Sequence, residues 1–406
     1  MAIHILYFTT ETCPTFRVDL CVLFGKYLPL YGIHSDIVAG KTPSKDEDLV
    51  IWGGGQNYLC DIAGGSVKKN IKIFIHSIKH LFKADANKYQ AIQVRDMPVF
   101  AAIALLMSKF KQVKFIYWMS FPMPEDSILR AHQRGLSEGF IKFFFPWLNG
   151  HIGYFLLYRL VLSKADHVFV QSEQMKANLT KYGVCPDKMT PVPMGVDIEA
   201  LQDHDVRPVC DKRLVGRRSL VYLGTCGRSR KIEILFEMLL IVKHKFPTVL
   251  LLMVGDDLHN EVQRRFLKRK AKEIGISDNI IWTGWLPRCE AWSYVRSSEI
   301  GLSPFPRSYL LDSASPTKVP EYLVMGVPVI CNDNPDQEQI IRQSGAGLCV
   351  PYLAEDFASA VIKMLSLDKL ELHEMARKGN DYVSQFRDYR HISFDVAGSY
   401  KKILIE

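Results

Sequence analysis

A cation and a carboxylate stand at the start of a predicted helix in the segment Ser313 to Asp333 (SASPTKVPEYLVMGVPVICND). Pro320 has no N–H, so it fits a helix only among the first positions, and Thr317 is then the predicted N-cap. The free amides of a helix start, together with Lys318, favour a phosphate. Glu321, one turn further, could accept hydrogen bonds from two vicinal hydroxyls, such as those of a ribose. The alternative is an ordinary capped helix with a surface glutamate.

A second candidate site is the basic turn in Tyr222 to Ile232 (YLGTCGRSRKI), where a predicted strand ends at Gly224. Arg228, Arg230 and Lys231 follow within this turn. The planar guanidinium group of arginine and the ammonium group of lysine both suit a diphosphate, and such contacts are stronger in a sheltered site than on the surface. The alternative is a solvated basic turn.

Two further segments follow predicted strands in the first half of the chain. The loop Thr9 to Arg17 (TTETCPTFR) should face the same ligand, and Glu11 or Arg17 could contact a phosphate or an acceptor. A capped turn before a helix at Val18 explains this loop equally well. The segment Gly53 to Tyr58 (GGGQNY) lacks the GxGxxG spacing of a dinucleotide fingerprint, and we interpret it as an acceptor-side loop.

Short β-branched or aromatic runs alternate with longer stretches of helical periodicity along the whole chain, which predicts parallel βαβ units. The charged stretch Ile198 to Ser219 shows neither period and is the predicted linker between two domains. Ligands of parallel sheets bind beyond the carboxyl ends of the strands, so two facing domains would share one cleft. The predicted strands lie near Ile3 to Phe8, Leu49 to Trp52, Ala91 to Val94, Phe115 to Trp118, His167 to Gln171, Leu220 to Gly224, Val249 to Val254, Ile280 to Thr283, Ile300 to Ser303 and Val327 to Cys331.

The composition agrees with a folded protein that binds an anion. The chain has 406 residues, 48% of them hydrophobic, and a formal net charge of +8. This excess is too small and too scattered for a dedicated nucleic-acid binder, but it fits an anionic small ligand or an anionic membrane surface. The nine cysteines show no metal-ligand spacing, and the first residues lack the features of a secretory signal, so we expect a reducing, cytoplasmic location.

Two apolar segments raise the question of membrane contact. The uncharged run Phe143 to Tyr158 is shorter than the about 20 residues of a membrane-spanning helix, so it is either interfacial or buried. Ser66 to Lys83 shows apolar residues on one helical face and lysines on the other. That pattern is typical of a basic helix lying on a membrane and of any helix that packs on a sheet. Peripheral contact with the inner face of an anionic membrane is therefore one of two interpretations.

The order of motifs from Leu220 to Val350 resembles the donor-binding domain of family 4 glycosyltransferases, which are retaining enzymes of the GT-B fold. The likeness consists of the basic glycine turn, MVGDD with Gly255, WTGWLP, GLSPF and SPTKVPEYLVMGVPVICND. In the first half, VFVQSE (Val168 to Glu173) and VPMGVD (Val192 to Asp197) are similar to the end of that family's acceptor-binding domain.

The resemblance implies an α/β GT-B fold with two doubly wound, Rossmann-like parallel-sheet domains facing a cleft. Residues 1–200 would bind the acceptor, residues 201–386 would bind the nucleotide-sugar donor, and residues 387–406 would form a C-terminal helix that packs back on the first domain. The implied reaction moves a hexose from a nucleotide diphosphate sugar to a hydroxyl of a glycan or lipid-linked acceptor, with retention. It requires no metal and no other cofactor, because a donor phosphate oxygen would deprotonate the acceptor hydroxyl.

The resemblance also assigns roles to single positions. Glu321 matches the second glutamate of the family's E-x7-E motif, which holds the donor ribose, and Arg230 stands where the family has a phosphate-binding lysine. The first glutamate is replaced by Ser313, with Asp312 beside it. We therefore expect Arg230, Lys318 and Glu321 to be catalytic. The expected donor-binding residues are Gly195, Gly224, Arg228, Lys231, Gly255, Ser313, Ser315 and Thr317.

Two alternatives to a transferase remain open from the sequence. The missing first glutamate would suit a catalytically weak sugar-nucleotide binder that scaffolds a polysaccharide assembly complex. A GT-B-fold sugar-nucleotide epimerase would convert the donor without any acceptor.

Overall fold

The computed structural model describes residues 2–15, 17–41, 52–62, 66–135, 139–203, 206–256 and 261–405. The chain forms two compact units: Met1–Met194 together with Tyr389–Glu406, and Gly195–Asp388. Each unit contains one parallel sheet with helices on both faces, which is the predicted α/β fold with two Rossmann-like domains.

The first unit is built on a seven-stranded sheet with the strand order β3-β2-β1-β4-β5-β6-β7. Its elements along the chain are β1 (Ile3–Cys13), α1 (Val18–Cys21), β2 (Ile33–Lys41), β3 (Asn57–Asp61), α2 (Ser66–Lys83), β4 (Ala91–Arg95), α3 (Pro98–Lys111), β5 (Lys114–Met119), α4 (Met123–Arg134), α5 (Phe140–Leu156), α6 (Leu162–Lys164), β6 (His167–Val170), α7 (Glu173–Lys181) and β7 (Met189–Pro191). A π-helical turn, Leu157–Val161, connects α5 to α6.

The second unit has a six-stranded sheet with the order β10-β9-β8-β11-β12-β13. Its elements are α8 (Ile198–Asp203), β8 (Ser219–Leu223), α9 (Ile234–Lys245), β9 (Leu250–Val254), α10 (Glu261–Glu273), β10 (Ile280–Gly284), α11 (Arg288–Arg296), β11 (Ile300–Ser303), α12 (Tyr309–Asp312), α13 (Lys318–Val324), β12 (Val329–Asn332), α14 (Pro335–Ser344), β13 (Gly347–Val350), α15 (Ala354–Leu365) and α16 (Lys369–Phe386).

The C-terminal helix α17 (Tyr389–Ile405) returns to the first unit. Its fully buried Tyr389 and Tyr400 belong to the apolar cluster on one face of the seven-stranded sheet. The Tyr400 hydroxyl also donates a hydrogen bond to the side-chain oxygen of Gln93 in β4. Helices α2 and α3 and the π-helical turn cover the opposite face of this sheet.

The sequence did not predict β2, β3, β7 and β13. Strand β2 carries the buried polar residues Ser35 and Asp36 inside its apolar run, which hides the strand pattern. The Asp36 carboxylate is held by the Tyr89 hydroxyl at 2.7 Å and the Gln56 amide at 2.8 Å. The other three strands are short, and most of the strand predicted at Leu49 to Trp52 lies outside the described residues.

Two predicted connections differ in the structure. Residues Thr9 to Cys13 are not a loop, because β1 continues to Cys13 with a register shift between Phe8 and Thr12. The stretch predicted as a linker belongs to the second unit, which begins at Gly195 and contains α8. Leu201 and Val206, which lie in this stretch, are buried in that unit's core.

No helix among the described residues is both long enough and apolar enough to cross a membrane.

Candidate functional site

The candidate site in the second unit begins where β8 ends, at a glycine that makes room for a lysine. Gly224 has a φ of +142°, and a Cβ at this position would lie 3.0 Å from Cε and 3.4 Å from Nζ of Lys318. The Lys318 ammonium lies 5.2 Å from the centre of the Tyr222 ring, which is a cation–π distance. The absence of a side chain at Gly224 therefore lets Lys318 lie across the carboxyl end of β8.

A second glycine brings the ends of neighbouring strands together. Gly255 follows β9 with a φ of +104°, and a Cβ there would lie 2.7 Å from the carbonyl oxygen of Gly224. The Gly224 amide donates to the carbonyl oxygen of Val254 at 2.8 Å, and the Gly255 amide donates to that of Gly284 at 3.1 Å. The carboxyl ends of β8, β9 and β10 thus meet around small residues, and peptide groups can approach a ligand closely there.

The start of α13 is fixed over the sheet by Tyr322. The backbone amide of Leu223 donates to the Tyr322 hydroxyl at 2.7 Å, and this hydroxyl donates to the carbonyl oxygen of Leu302 at 3.4 Å. The Tyr322 ring covers Gly301, where a Cβ would come within 2.5 Å of a ring carbon. These contacts hold the first turn of α13, with Lys318 and Glu321, beside the carboxyl ends of β8 and β11.

The helix start is placed as Pro320 predicts, since Lys318 is the first helical residue and Pro320 the third. Thr317 occupies the N-cap position, but its side chain makes no capping hydrogen bond to a backbone amide. Its hydroxyl instead interacts with the Glu321 carboxyl group. Helix α13 has only seven residues, and the side chains of Lys318 and the nearby Arg230 bring full positive charges to its start.

Burial shifts the pKa of both charged groups in this turn toward neutrality. It lowers the pKa of Lys318 to about 8; the nearby Arg230 charge lowers it further, while Glu321 opposes the shift. Burial likewise raises the pKa of Glu321 to about 7, against the opposing effects of Lys318, Arg288 and the Thr317 hydroxyl. Two groups of opposite type with such pKa values are typical of a ligand-binding or catalytic site.

Of the three cations in the basic turn, the structure brings Arg230 to Lys318. Arg230 ends a 3₁₀ turn, Arg228–Arg230, and its guanidinium lies 5.8 Å from the centre of the Phe305 ring. Arg228 and Lys231 are exposed. Lys231 has a φ of +45°, and its carbonyl oxygen accepts a hydrogen bond from the Tyr352 hydroxyl at 2.9 Å. Arg228 and Lys231 therefore lie at the solvent-facing part of this turn.

The two serines predicted to bind the donor have their hydroxyls directed into the protein. Ser313 is buried, and its hydroxyl donates to the carbonyl oxygen of Tyr309 at 3.2 Å. The neighbouring Asp312 carboxylate is held by Arg307 through contacts of 2.8 and 3.1 Å. Both side chains are therefore already engaged in contacts within the protein.

Ser315 belongs to a buried charged network at the other side of α13. Its hydroxyl donates to Asp336 at 2.7 Å, and Arg387 binds the other carboxylate oxygen of Asp336 at 2.7 Å. Arg387 and Asp336 are both nearly fully buried. A buried hydroxyl needs a hydrogen-bond partner, and Asp336 supplies it for Ser315. The predicted contact of Ser315 with the donor stays a prediction.

A pocket of about 180 Å³ opens at the ends of β9 and β10, next to Gly255. The Asp256 carboxylate in its wall pairs with Arg264 at 2.6 Å, and the Lys268 ammonium lies 5.8 Å from the Trp282 ring centre. An aromatic ring beside peptide groups and cations suits a flat heteroaromatic ligand. The sequence does not reveal this pocket, because Arg264 and Lys268 lie in α10, where they form part of a regular polar helix pattern.

Gly195 is buried and is the first residue of the second unit. It precedes Val196, which pairs with Asp388 in an isolated parallel bridge. Its predicted contact with the donor pyrophosphate stays a prediction.

In the first unit, Glu11 and Arg17 form an ion pair of 3.1 Å near the carboxyl end of β1. Arg17 also contacts Asp19 at 3.4 Å, and Asp19 is bound by Arg95 at 2.6 Å. Although burial opposes ionisation, Arg95 and Arg17 hold the pKa of Asp19 below its ordinary value. Arg95 thus connects the predicted acceptor-side residues to the sheet.

Arg95 is the last residue of the buried strand β4 and Asp96 follows it, and neither was among the residues predicted from the sequence. Asp96 has a φ of +52°, and its carboxylate accepts a hydrogen bond from the Ser120 amide at 2.8 Å. Burial raises the pKa of Asp96 despite the nearby Arg95 charge. Two adjacent charged residues at the end of an apolar strand are the sequence feature that could have identified this pair.

In the segment Gly53 to Tyr58, interpreted as an acceptor-side loop, the three glycines pack closely against other parts of the protein. A Cβ on Gly54 would lie 2.5 Å from the carbonyl oxygen of Phe24, and a Cβ on Gly55 would lie 2.8 Å from that of Ser35. Close backbone packing accounts for these glycines. Within the described parts of the chain, no three histidine, cysteine, aspartate or glutamate side chains are grouped as metal ligands.

Comparison with protein families gives two matches that follow each other along the chain. Residues 24–200 match Glycosyltransferase Family 4, and residues 212–381 match Glycosyl transferases group 1. A teichuronic acid biosynthesis glycosyltransferase of Bacillus subtilis, TuaH, is 25% identical over 54% of this chain and 53% of its own length. The alpha-monoglucosyldiacylglycerol synthase of Streptococcus pneumoniae is 24% identical over 55% of this chain and 50% of its own length. The chain therefore spans about half the length of these curated relatives.

The fold as a whole resembles solved structures. Anabaena Alr3699/HepE, crystallised with UDP and glucose, has a TM-score of 0.69 and 13% identity, covering 98% of this chain and 100% of that chain. The sucrose-phosphate synthase of Thermosynechococcus elongatus also has a TM-score of 0.69, with 17% identity and 99% coverage of both chains. Together with the two family matches, these likenesses identify the chain as a member of the GT-B glycosyltransferases of family 4, group 1.

Proposed function

We propose that this protein transfers a hexose from a nucleotide diphosphate sugar to a hydroxyl of a glycan or lipid-linked acceptor. The observation that carries the proposal is the convergence of Lys318 and Arg230 with Glu321 at the carboxyl end of β8. Two cations and a carboxylate in one half-buried turn match the diphosphate and the ribose of such a donor. HepE, which shares the fold, was crystallised with UDP and glucose, and this supports a donor of the same class.

The two cations would act mainly on the leaving group. When the bond between the sugar and the diphosphate breaks, negative charge develops on the diphosphate oxygen, and in our proposal Lys318 and Arg230 stabilise it. In a sheltered site, removing one such fixed group typically costs about 10²- to 10³-fold in kcat. A bound diphosphate would also raise the pKa of Lys318 and so keep its ammonium charged.

The remaining parts of the donor are assigned to neighbouring residues. In our proposal Glu321 accepts hydrogen bonds from the two ribose hydroxyls, and the pocket beside Gly255 and Trp282 takes the base. Gly224 leaves space for the diphosphate next to Lys318, while Arg228 and Lys231 add positive charge at the edge of the site. Glu11 and Arg17 in the first unit are the proposed acceptor-side residues.

We further propose that the transfer proceeds with retention and without a metal ion. Lys318 and Arg230 supply the positive charge that the diphosphate needs, and a donor phosphate oxygen would take the proton of the acceptor hydroxyl. Analysis of the first-formed product by NMR should show the anomeric configuration of the donor. Turnover should persist in the presence of EDTA, and an inverted product or a requirement for added divalent cations would contradict this part of the proposal.

Polysaccharide or glycolipid synthesis is the proposed context. The names of both relatives refer to this chemistry, one to teichuronic acid biosynthesis and the other to a glucosyldiacylglycerol. The acceptor would then be a hydroxyl on a growing glycan or on a membrane lipid.

A thermal-shift screen of nucleotide sugars, followed by calorimetry with the best hit, tests donor binding. Replacement of Glu321 by Ala should weaken donor affinity by about tenfold to 100-fold, because hydrogen bonds to a charged group contribute about 1.5–3 kcal/mol. Glu273→Ala, at an exposed position near the end of α10, is the matched control and should leave the affinity unchanged. Equal donor affinity of Glu321→Ala and the wild type would contradict the ribose role.

The scaffold alternative is favoured by one observation, the buried Ser313 at the position of the family's first glutamate. A scaffold would bind a nucleotide sugar without releasing the nucleoside diphosphate, and an epimerase would convert the donor in the absence of acceptor. Product analysis with and without a lipid extract separates all three functions.

A further inference from the structure

The outward side of the first unit has an unusual combination of apolar and basic residues. Helix α2 buries one stripe of side chains, Ile73, Ser77 and Leu81, against the sheet. The sequence pattern placed Ile71, Ile75 and Phe82 on the same apolar face, opposite the lysines. In the structure these three residues are exposed instead. They alternate along the outward side with the exposed side chains of Lys68, Lys72, Lys79 and Lys83.

Packing on the sheet explains only the inward stripe of α2. Helix α3 shows the same feature, because its Leu106 and Phe110 are 63% and 84% exposed while Phe100 and Leu105 are buried. Helix α5 adds a third exposed apolar stripe at helical spacing, formed by Ile141, Phe145, Ile152 and Phe155. Contiguous exposed apolar residues on this scale mark an interaction site in a folded protein.

The three stripes lie on neighbouring helices. The Lys111 ammonium of α3 donates to the carbonyl oxygens of Phe82 and Ala84 at 3.1 and 2.8 Å, which joins the ends of α2 and α3. At the other end of α3, a Cβ on Gly153 of α5 would lie 3.7 Å from Cβ of Pro98. Helix α3 therefore lies between α2 and α5. We call the surface that these helices form the outer surface; it contains Ile71, Ile75, Phe82, Leu106, Phe110, Ile141, Phe145, Ile152 and Phe155.

The three helices of the outer surface carry charged side chains of one sign, and an acidic neighbour outside these helices, Asp166, pairs with Lys109 at 3.4 Å. The described ranges 66–83, 98–111 and 140–156 contain no aspartate or glutamate. They contain eight lysines, which are Lys68, Lys69, Lys72, Lys79, Lys83, Lys109, Lys111 and Lys142. A second copy of this chain would bring the same positive charge to the interface, so the charge disfavours self-association through this surface. Exposed aromatic and aliphatic side chains among lysines are complementary to anionic lipid head groups above an apolar layer.

We propose that the outer surface binds an anionic lipid bilayer. The lysines of α2 contact the head groups, and the exposed apolar side chains of α2, α3 and α5 enter the layer beneath them. Membrane attachment of this kind is independent of sugar transfer, because all the residues involved lie outside the candidate donor site.

The position of α5 links this surface to the acceptor side. Gly153 lies at the start of α3, so the preceding part of α5, back to Ile141, extends about 18 Å beyond that start. This end of α5 pairs closely with α4, since a Cβ on Gly150 would lie 2.6 Å from Cγ1 of Ile128. Because α3 begins at the carboxyl edge of the sheet, Ile141 and Phe145 project past the edge at which Arg17 also lies. If the proposed function is right, a lipid-linked acceptor in the bilayer would approach Glu11 and Arg17 from this edge.

Sedimentation of the full-length chain with lipid vesicles tests the proposal. We expect binding to vesicles of equimolar phosphatidylcholine and phosphatidylglycerol, weaker binding at high salt, and little binding to phosphatidylcholine alone. Each lysine near the surface changes the partition coefficient about fivefold, so the double variant Lys79→Gln/Lys83→Gln should lose about 30-fold. The matched control is Lys369→Gln/Leu370→Ser, at exposed positions of α16, and it should bind like the wild type.

The apolar contribution is tested with Phe110→Ser/Phe145→Ser, which alters two exposed rings and should abolish vesicle binding. Thermal unfolding should show that this variant is folded, and its calorimetric donor affinity should be unchanged, which separates membrane binding from donor binding. Equal binding to neutral and anionic vesicles, or none to either, would overturn the proposal. A dimer that dissociates in Phe110→Ser/Phe145→Ser, without vesicle binding by the wild type, would assign the surface to a second copy and also overturn it.

Discussion

The shifted pKa values of Glu321 and Lys318 predict that donor affinity has a narrow optimum near pH 7.5. Glu321 accepts two hydrogen bonds from the ribose only as a carboxylate, so affinity should rise as pH increases through its pKa of about 7. Lys318 attracts the diphosphate only as an ammonium, so affinity should fall as pH increases through its pKa of about 8.

The size of the effect follows from these two values. At pH 7.5 about three quarters of the molecules have Glu321 ionised, and about the same share have Lys318 protonated. At pH 6 only about one tenth have the carboxylate, and at pH 9 about one tenth have the ammonium. Affinity for a nucleotide sugar should therefore decrease about sixfold in each direction from the optimum.

Calorimetric titration of the nucleotide sugar from pH 6 to 9 measures this profile. The diphosphate of a nucleotide sugar carries no proton that titrates in this range. The decrease in affinity toward pH 6 therefore reports a group of the protein. In Glu321→Gln the decrease toward pH 6 should disappear, and in Lys318→Arg the decrease toward pH 9 should disappear, because a guanidinium stays charged. A flat wild-type profile, or a profile that neither variant changes, would refute the reasoning.

The remaining predictions concern stability and are measured by chemical denaturation. Arg95→Met should lower the free energy of unfolding by about 3–5 kcal/mol, because it removes the buried partner of Asp19 and leaves only the longer contact with Arg17. Arg17→Met, at an exposed position, should cost less than about 1 kcal/mol. Equal losses in both variants would show that the Arg95–Asp19 pair is not buried in solution. Gly301→Ala should cost about 1–3 kcal/mol, because its Cβ would lie 2.5 Å from the Tyr322 ring, and it should also weaken donor binding by displacing the start of α13. An unchanged unfolding curve would contradict this packing.

Local constraints explain what the sequence could predict. Pro320 lacks an amide proton, and this single property placed the start of α13 at Lys318 without knowledge of the rest of the chain. The alternation of apolar strands and amphipathic helices predicted both parallel sheets in the same way. Gly224 was predicted correctly to mark the end of β8. Of the basic turn that follows it, Arg230 is the residue that lies near Lys318.

Contacts between distant residues explain what it could not predict. Asp19 and Arg95 pair across 76 residues, and Ser315 joins Asp336 and Arg387 only after α13, α14 and α16 have packed. The orientation of α2 was equally undetermined, because its apolar face is wide and periodicity alone does not show which part of that face contacts the sheet. The structure resolves this by burying Ile73 and exposing Ile75.

Release of nucleoside diphosphate tests the central claim, that Lys318 and Arg230 form the site of sugar transfer. The purified protein is incubated with the nucleotide sugar that binds best and with a membrane lipid extract, and the released nucleoside diphosphate is measured over time. The wild type should release it only when acceptor is present, Lys318→Met should be about 10²- to 10³-fold slower, and Lys363→Met, at an exposed position of α15, should match the wild type. Donor binding without any release, or equal rates for Lys318→Met and the wild type, would contradict the account.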